Sequence, residues 1–330
     1  MHRVVFSILF AAALSFAAQT KNIVDMTGRA VSVPAKVEKV VTAGATPAVN
    51  AFLFALGKGD TIQNGMPGFM AGKSWRYQAI FAPKTASQTV VSGPGPDWNV
   101  NVETLATLPS DVVFVGNKTS ADMLAQKGFC VVSLYWSDSE SIKKTMVLLG
   151  DIMGVPERAK EYVRYYDDTL KNVSSKVSAE KNKPKALYIR FKNLTLPMVS
   201  TATWMFENAG GINVARGVKD HAGVSAEQIL GWNPDFLFVW SKEEVDAVYK
   251  DQRFKALNAV KNKKVFAVPM GAHVWTHYTP EQPLAVIWAA QKFYPSKFKD
   301  TDIKKTIFDF YSKFFGYKLS DEQINDILNP

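Results

Sequence analysis

One local pattern occurs twice and constrains the whole chain. Asn101-Val102-Glu103-Thr104-Leu105 leads through Pro109 into Asp111-Val112-Val113-Phe114-Val115, and Ser225-Ala226-Glu227-Gln228-Ile229 leads through Pro234 into Asp235-Phe236-Leu237-Phe238-Val239. In both copies Glu precedes Asp by eight residues and an apolar run follows the Asp. An acid in the first turn favours a helix N-terminus, and a short, uniformly apolar run between turn residues is the pattern of a buried parallel strand. Read singly, each glutamate is only a helix-start acid. Recurrence 124 residues apart points to two related α/β lobes, which 330 residues can accommodate.

The remaining pattern fits that architecture. Residues 25–34 predict a short hairpin turning at Thr27-Gly28. Residues 37–43, 111–115 and 130–135 read as strands of the first lobe, with a helix over 47–56. Cys130 reads as a small buried hydrophobe. Ser137-Asp138-Ser139-Glu140 predicts a capping box opening a helix that Gly154 ends. From Pro156 to Glu180, Ala159, Tyr162, Val163, Tyr166, Leu170, Val173 and Val177 keep one apolar face. That helix, at roughly 37 Å, is long enough to cross between lobes. Strands are predicted at 186–191, 236–240 and 264–269. Thr279-Pro280-Glu281-Gln282 and Ser320-Asp321-Glu322-Gln323 predict two more helices, capped by Thr279 and Ser320. The expected fold is α/β: two lobes with mainly parallel sheets, joined by a long backbone helix, with a ligand cleft between them. The boundaries are drawn at 18–141, 142–180 for the linker helices, and 181–330.

Residues 1–17 read as a signal peptide. Arg3 precedes an apolar run from Val4 to Ala18, shorter than the roughly 20 residues of a membrane span, and Ser15-Phe16-Ala17 offers a cleavage site. No cysteine follows the run, so the expectation is a soluble periplasmic protein and not a lipoprotein. The single cysteine allows neither an intrachain disulfide nor a cysteine-cluster metal site. The net charge of +9 falls to +8 without Arg3 and favours anionic partners, although scattered lysines on solvated faces account for most of it. Nucleic acid is not expected as a partner, because the chain has no dense basic run.

Catalytic motifs are poor, and no enzyme is expected. Gly68-Phe69-Met70-Ala71-Gly72-Lys73-Ser74 is one residue short of a phosphate-cradling loop, with Pro67 where its first glycine belongs. There is no G-x-S-x-G elbow and no H-E-x-x-H. Beyond the signal only His221, His273 and His277 remain. His273 and His277 are expected on a loop after a strand end, where α/β sheets bind ligands. There they either meet a bound ligand or are plain solvated loop histidines. Candidate ligand-binding residues are Trp75, Arg76, Trp98, Tyr135, Arg190, Trp204, Trp240, His273, Trp275 and Tyr278. Aromatic walls bury flat or bulky ligands and guanidiniums pair with acidic groups, although any single Trp belongs to the core more often than to a pocket.

The order of these motifs resembles the class III substrate-binding proteins of ABC importers. It runs from Asp25…Gly28-Arg29-x-Val31-x-Val33-Pro34 through the two Glu–Asp units and the long helix. It continues with Ala209-Gly210-Gly211-Ile212-Asn213, Val260-Lys261-Asn262-Lys263-Lys264-Val265-Phe266-Ala267-Val268-Pro269 and Phe314-Phe315-Gly316-Tyr317. The resemblance covers essentially the whole mature chain, and the tail is similar to an iron-chelate or nickel-chelate subgroup. It implies a monomeric receptor that binds an iron–siderophore or nickel chelate and delivers it to an inner-membrane permease. There is no intrinsic cofactor; the metal arrives within the ligand, with His273 and His277 as its candidate contacts. The resemblance also implies that Glu103 and Glu227 dock onto permease arginines, and that lobe movement is limited. Alternatives are a haem or cobalamin receptor of the same class, a bare Zn²⁺ or Mn²⁺ receptor and, from another class, an exported hydrolase.

Overall fold

The computed structural model describes residues 19–70, 72–93 and 99–330; the expected signal peptide and Trp98 lie outside the described residues. Strands β1 (Thr20–Val24) and β2 (Ala30–Pro34) form the antiparallel hairpin. Its turn closes on Asp25, whose Oδ1 accepts the backbone N–H of Thr27 (2.9 Å) and Arg29 (3.0 Å). Gly28 takes the left-handed conformation there, at φ 84°. The buried Oδ2 of Asp25 accepts the N–H of Ser133, so one carboxylate both shapes the turn and docks it on the first lobe.

In the first lobe, β3 (Val40–Ala43), β4 (Val112–Val115) and β5 (Val131–Ser133) make a parallel sheet in the order β3-β4-β5. Helices α1 (Thr46–Ala55), α2 (Arg76–Phe81), α3 (Val102–Ala106) and α4 (Lys118–Gln126) lie between or after these strands. Two linker helices follow, α5 (Ser139–Ile152) and α6 (Pro156–Val177). The capping box of α5 is shifted by one residue from the expected frame: Asp138 is the cap and Ser141 closes the box.

The second lobe contains β6 (Lys185–Tyr188), α7 (Val199–Asn208), β7 (Ile212–Asn213), α8 (Ala226–Trp232), β8 (Phe236–Val239), α9 (Lys242–Lys250), α10 (Asn258–Lys261) and β9 (Val265–Ala267). Its sheet is parallel, in the order β7-β6-β8-β9. The chain ends with α11 (Gln282–Phe293), α12 (Ile303–Phe310) and α13 (Asp321–Leu328).

The repeat has a structural reason. Asp111 accepts the N–H of Lys39 (2.8 Å) at the entrance to β3, while its own N–H bonds the Lys39 carbonyl. Asp235 does the same with Lys185 at the start of β6, its carboxylate accepting at 3.0 Å. Each aspartate therefore pins the beginning of one parallel strand to the next, setting register in its lobe. Upstream, Asn101 and Ser225 cap α3 and α8, which places Glu103 and Glu227 exposed in equivalent first turns.

Thr279 does not cap a helix. Its hydroxyl finds no partner, α11 begins three residues later at Gln282, and the Glu281 side chain is turned away from the helix end. At 22 residues, α6 is a few residues shorter than expected and buries Ala159, Tyr162, Tyr166, Thr169, Val173 and Val177.

The lobes meet in a broad seam. Phe81 of α2 stacks on Tyr311 at 5.2 Å and meets Phe315 edge-on at 5.0 Å. Below this, Thr42 donates to Asn50 (2.7 Å), Asn50 to Gln78 (2.9 Å) and Gln78 to the carbonyl of Ala272 (2.7 Å), all buried. Tyr162 of the backbone helix donates to the Pro280 carbonyl and Tyr166 to Gln282. Residues 311–328 thus return onto first-lobe helices; the Tyr77 hydroxyl also donates to the carbonyl of Gln323.

Candidate functional site

A cavity of about 470 Å³ opens between the lobes beyond the C-terminal ends of the central strands. The first lobe contributes the start of α1 (Ala45, Pro47, Ala48), Met70, Trp75 and Trp136; the second contributes Arg190, Asn193, Thr195, Met198, His221 and Trp240. His273 and His277 come from the loop after β9. Among the described residues, no carboxylate lines the cavity.

Each wall is built from behind. Trp136 fits because residue 116 is glycine: a Cβ there would come within 2.7 Å of the indole Cη2. Phe52 packs at 5.7 Å from the same ring. Opposite, the Arg190 guanidinium lies 4.2 Å over the Trp240 ring, a cation–π contact. Its Nε is buried, has no hydrogen-bond partner among the described residues and sits 3.7 Å from Glu244. Glu244 instead accepts the backbone N–H of Phe191 (3.0 Å) and Trp240 (3.1 Å), fastening this wall from within the lobe.

The three histidines behind the signal converge on this space. His273 meets Trp75 edge-on at 5.0 Å and lies 4.6 Å from His277, centroid to centroid. Burial lowers the His273 pKa to about 4. Burial, with the nearby rings of His273 and His221, holds His277 well below the ordinary imidazole value. Both rings are therefore neutral near pH 7 and present nitrogen lone pairs, the form that binds metals. Among the described residues, no group of three or more His, Cys, Asp or Glu side chains is placed to hold a metal ion.

Trp75, Arg190, Trp240, His273 and His277 of the expected residues line the cavity; five others do not. Arg76 turns away to ion-pair with Asp326 (Nε to Oδ2, 2.6 Å) and to donate to the Lys73 carbonyl. Tyr135 is half exposed, and its neighbour Trp136 takes the inward place. Trp204 packs on Tyr166 of the backbone helix, 6.3 Å between rings. Trp275 is 1% exposed and belongs to the core beneath the histidine loop, while Tyr278 packs against that core from its edge. Met70, Met198, Asn193, Thr195 and His221 are not among the residues expected from sequence, and Trp136 is marked there only through its pairing with Tyr135. Trp136 carried a signal in its strand-end position; His221, isolated and at φ 63°, carried none.

Residues 77–270 match the family described as periplasmic binding protein. The chain belongs to the periplasmic binding protein family. Its members of this class are the substrate receptors of ABC importers and not enzymes. This binding protein is 28% identical over 252 residues to the molybdate-binding protein MolA of Haemophilus influenzae, covering 67% of this chain and 72% of MolA. A periplasmic solute binding protein from Veillonella parvula superposes with a TM-score of 0.83 at 29% identity, covering 94% of this chain and 97% of that one. CeuE of Helicobacter pylori, solved as a nickel–histidine complex, shares the fold with a TM-score of 0.72 at 21% identity, covering 94% and 100%. The two-lobed α/β architecture, the parallel sheets and the connecting helix α6 agree with the sequence-based expectation. Among the described residues, no helix is long and apolar enough to cross a membrane.

Proposed function

We propose that this periplasmic binding protein captures an anionic metal chelate, of the iron–siderophore or nickel-chelate type, in the inter-lobe cavity. The observation that carries this reading is a pair of neutral imidazoles, His273 and His277, in a tryptophan-walled space with the Arg190 guanidinium. Neutral nitrogen donors suit a metal centre with open coordination positions. Arg190 suits the carboxylate or catecholate groups of a chelator, and Trp75, Trp136 and Trp240 suit its flat or bulky frame. The residues fit a metal that arrives already held by a small molecule. Arg76, Tyr135, Trp204, Trp275 and Tyr278 lie outside the cavity lining and take no part in this reading.

A second reading, an oxyanion receptor, is favoured by the similarity to MolA. Size argues against it: a cavity of about 470 Å³ lies in the range of small-molecule sites. A tetrahedral oxyanion, only a few times the roughly 30 Å³ of one water, leaves most of it unfilled. Tryptophan-fluorescence titration with nickel–histidine, ferric siderophores, haem, cobalamin and molybdate separates the readings. Binding of molybdate alone refutes the chelate.

Delivery to the permease is assigned to Glu103 and Glu227, one exposed carboxylate per lobe at equivalent helix starts. A charged knob on each lobe sets docking register more than affinity. The Glu103→Arg, Glu227→Arg double variant is expected to lose uptake while keeping wild-type ligand affinity; undiminished uptake refutes the assignment. Export with removal of residues 1–17, to act as a monomer outside the inner membrane, completes the proposal.

A further inference from the structure

The loop carrying His273 and His277 contains no helix or strand, yet it holds both rings in close contact with each other and with Trp75. What fixes it lies on the side away from the cavity. Glu281 has no solvent-exposed surface. Its Oε1 accepts the backbone N–H of Ala272 at 2.9 Å and its Oε2 that of His273 at 2.8 Å. The Tyr311 hydroxyl donates a short hydrogen bond to the same Oε1. A Cβ at Gly271 would overlap both the Tyr311 hydroxyl and this carboxylate, so only glycine lets the loop descend onto it. Tyr311 in turn stacks on Phe81 of the first lobe.

We infer that Glu281 is a positioning residue for the ligand site: its carboxylate grips the main chain at Ala272 and His273 and thereby holds both imidazoles where they meet the ligand. Hydrogen bonds to a carboxylate are about twice as strong as neutral ones, and removing the acceptor leaves two buried N–H groups unpaired. Gln282, the next residue, contributes nothing comparable to the loop; its side chain accepts from Tyr166. The inference rests on the cavity being the ligand site, and its test is arranged to separate the two.

The test is Glu281→Gln, equal in shape but presenting an amide donor where one oxygen faced a hydrogen-bond donor. In the ligand-free full chain, the ring ¹⁵N signals of His273 and His277 and the amide signals of Ala272 and His273 are expected to move. Affinity for nickel–histidine, used as the probe, is expected to fall at least tenfold. Tyr311→Phe keeps the Phe81 contact and removes one of the three donors. It is expected to move the same signals less, and it carries the test if Glu281→Gln fails to fold. Unchanged ring and amide signals in the ligand-free variants overturn the inference. If no probe perturbs His273 or His277 in the wild-type protein, the ligand-site reading fails, while the ligand-free spectra still decide the role of Glu281.

Discussion

Replacing Gly116 by Ala tests how the first-lobe wall is made. Gly116 is not in the left-handed region, so alanine meets no backbone strain there. The nearest atoms to the added methyl are three ring carbons of Trp136, at 2.7, 3.3 and 3.5 Å. Carbon atoms normally meet at about 3.5 Å or beyond, so the indole edge must retreat by about 0.8 Å. Phe52 packs against that ring and resists the retreat. Overpacking of this kind costs about 1–3 kcal/mol. At roughly 1.5 °C of melting temperature per kcal/mol for a chain of this length, the loss is readable by thermal denaturation. The indole lines the cavity, so on the proposed function its displacement is also expected to weaken nickel–histidine binding by about five- to thirtyfold. The control is a double-mutant cycle: in a Trp136→Ala background, the 116 substitution is expected to be silent in both assays. Equal destabilisation by Gly116→Ala with and without Trp136 refutes the reasoning, as does a single variant with wild-type melting and affinity.

Two further outcomes follow from the opposite wall and the histidine loop. Arg190→Ala removes the lining cation and its stack on Trp240 and is expected to weaken chelate binding more than tenfold; an unchanged titration removes Arg190 from the site. Acidification through pH 6.5 is expected to leave His273 neutral, with protonation only near pH 4 when ring nitrogens are followed by NMR; a midpoint at the ordinary imidazole value refutes its burial. Because the folded value is the lower one, the unfolded chain binds more protons between the two. The stability tied to the neutral ring is thus complete above about pH 6.5 and lost as pH falls toward 4. Glu281, pushed by burial up to about 7, has the opposite dependence, so site-resolved spectra rather than melting curves are the deciding measurement.

The fold was legible where one residue performs a local task that its neighbours in sequence reveal. Asp111 and Asp235 stand between a helix and a strand in both lobes and bond the same backbone group of the adjacent strand, so the duplication was visible as spacing. Ser320 and Gln323 form the box that their separation predicts. At Thr279 the same kind of pattern misled, because Glu281 is committed to a loop eight residues upstream and leaves the helix start uncapped. The site was less legible. Tyr135 and Trp136 differ by one position, and which one points inward depends on the space that Gly116 leaves in another strand-end loop. Arg76 sits at a helix start beside the cavity, yet its partner is Asp326, 250 residues away. Such choices are made by tertiary neighbours and leave no trace in local spacing.

The seam of buried amides and stacked rings beneath the cavity bears on how cargo leaves. Swinging the two halves apart as rigid bodies would sever the path from Thr42 through Asn50 and Gln78 to Ala272 and unstack Phe81 from Tyr311. That linkage would make wide parting of the halves costly, in keeping with a site largely formed before anything enters it. Unloading becomes a mechanical task for the importer, which has to pry against this joint while it is docked.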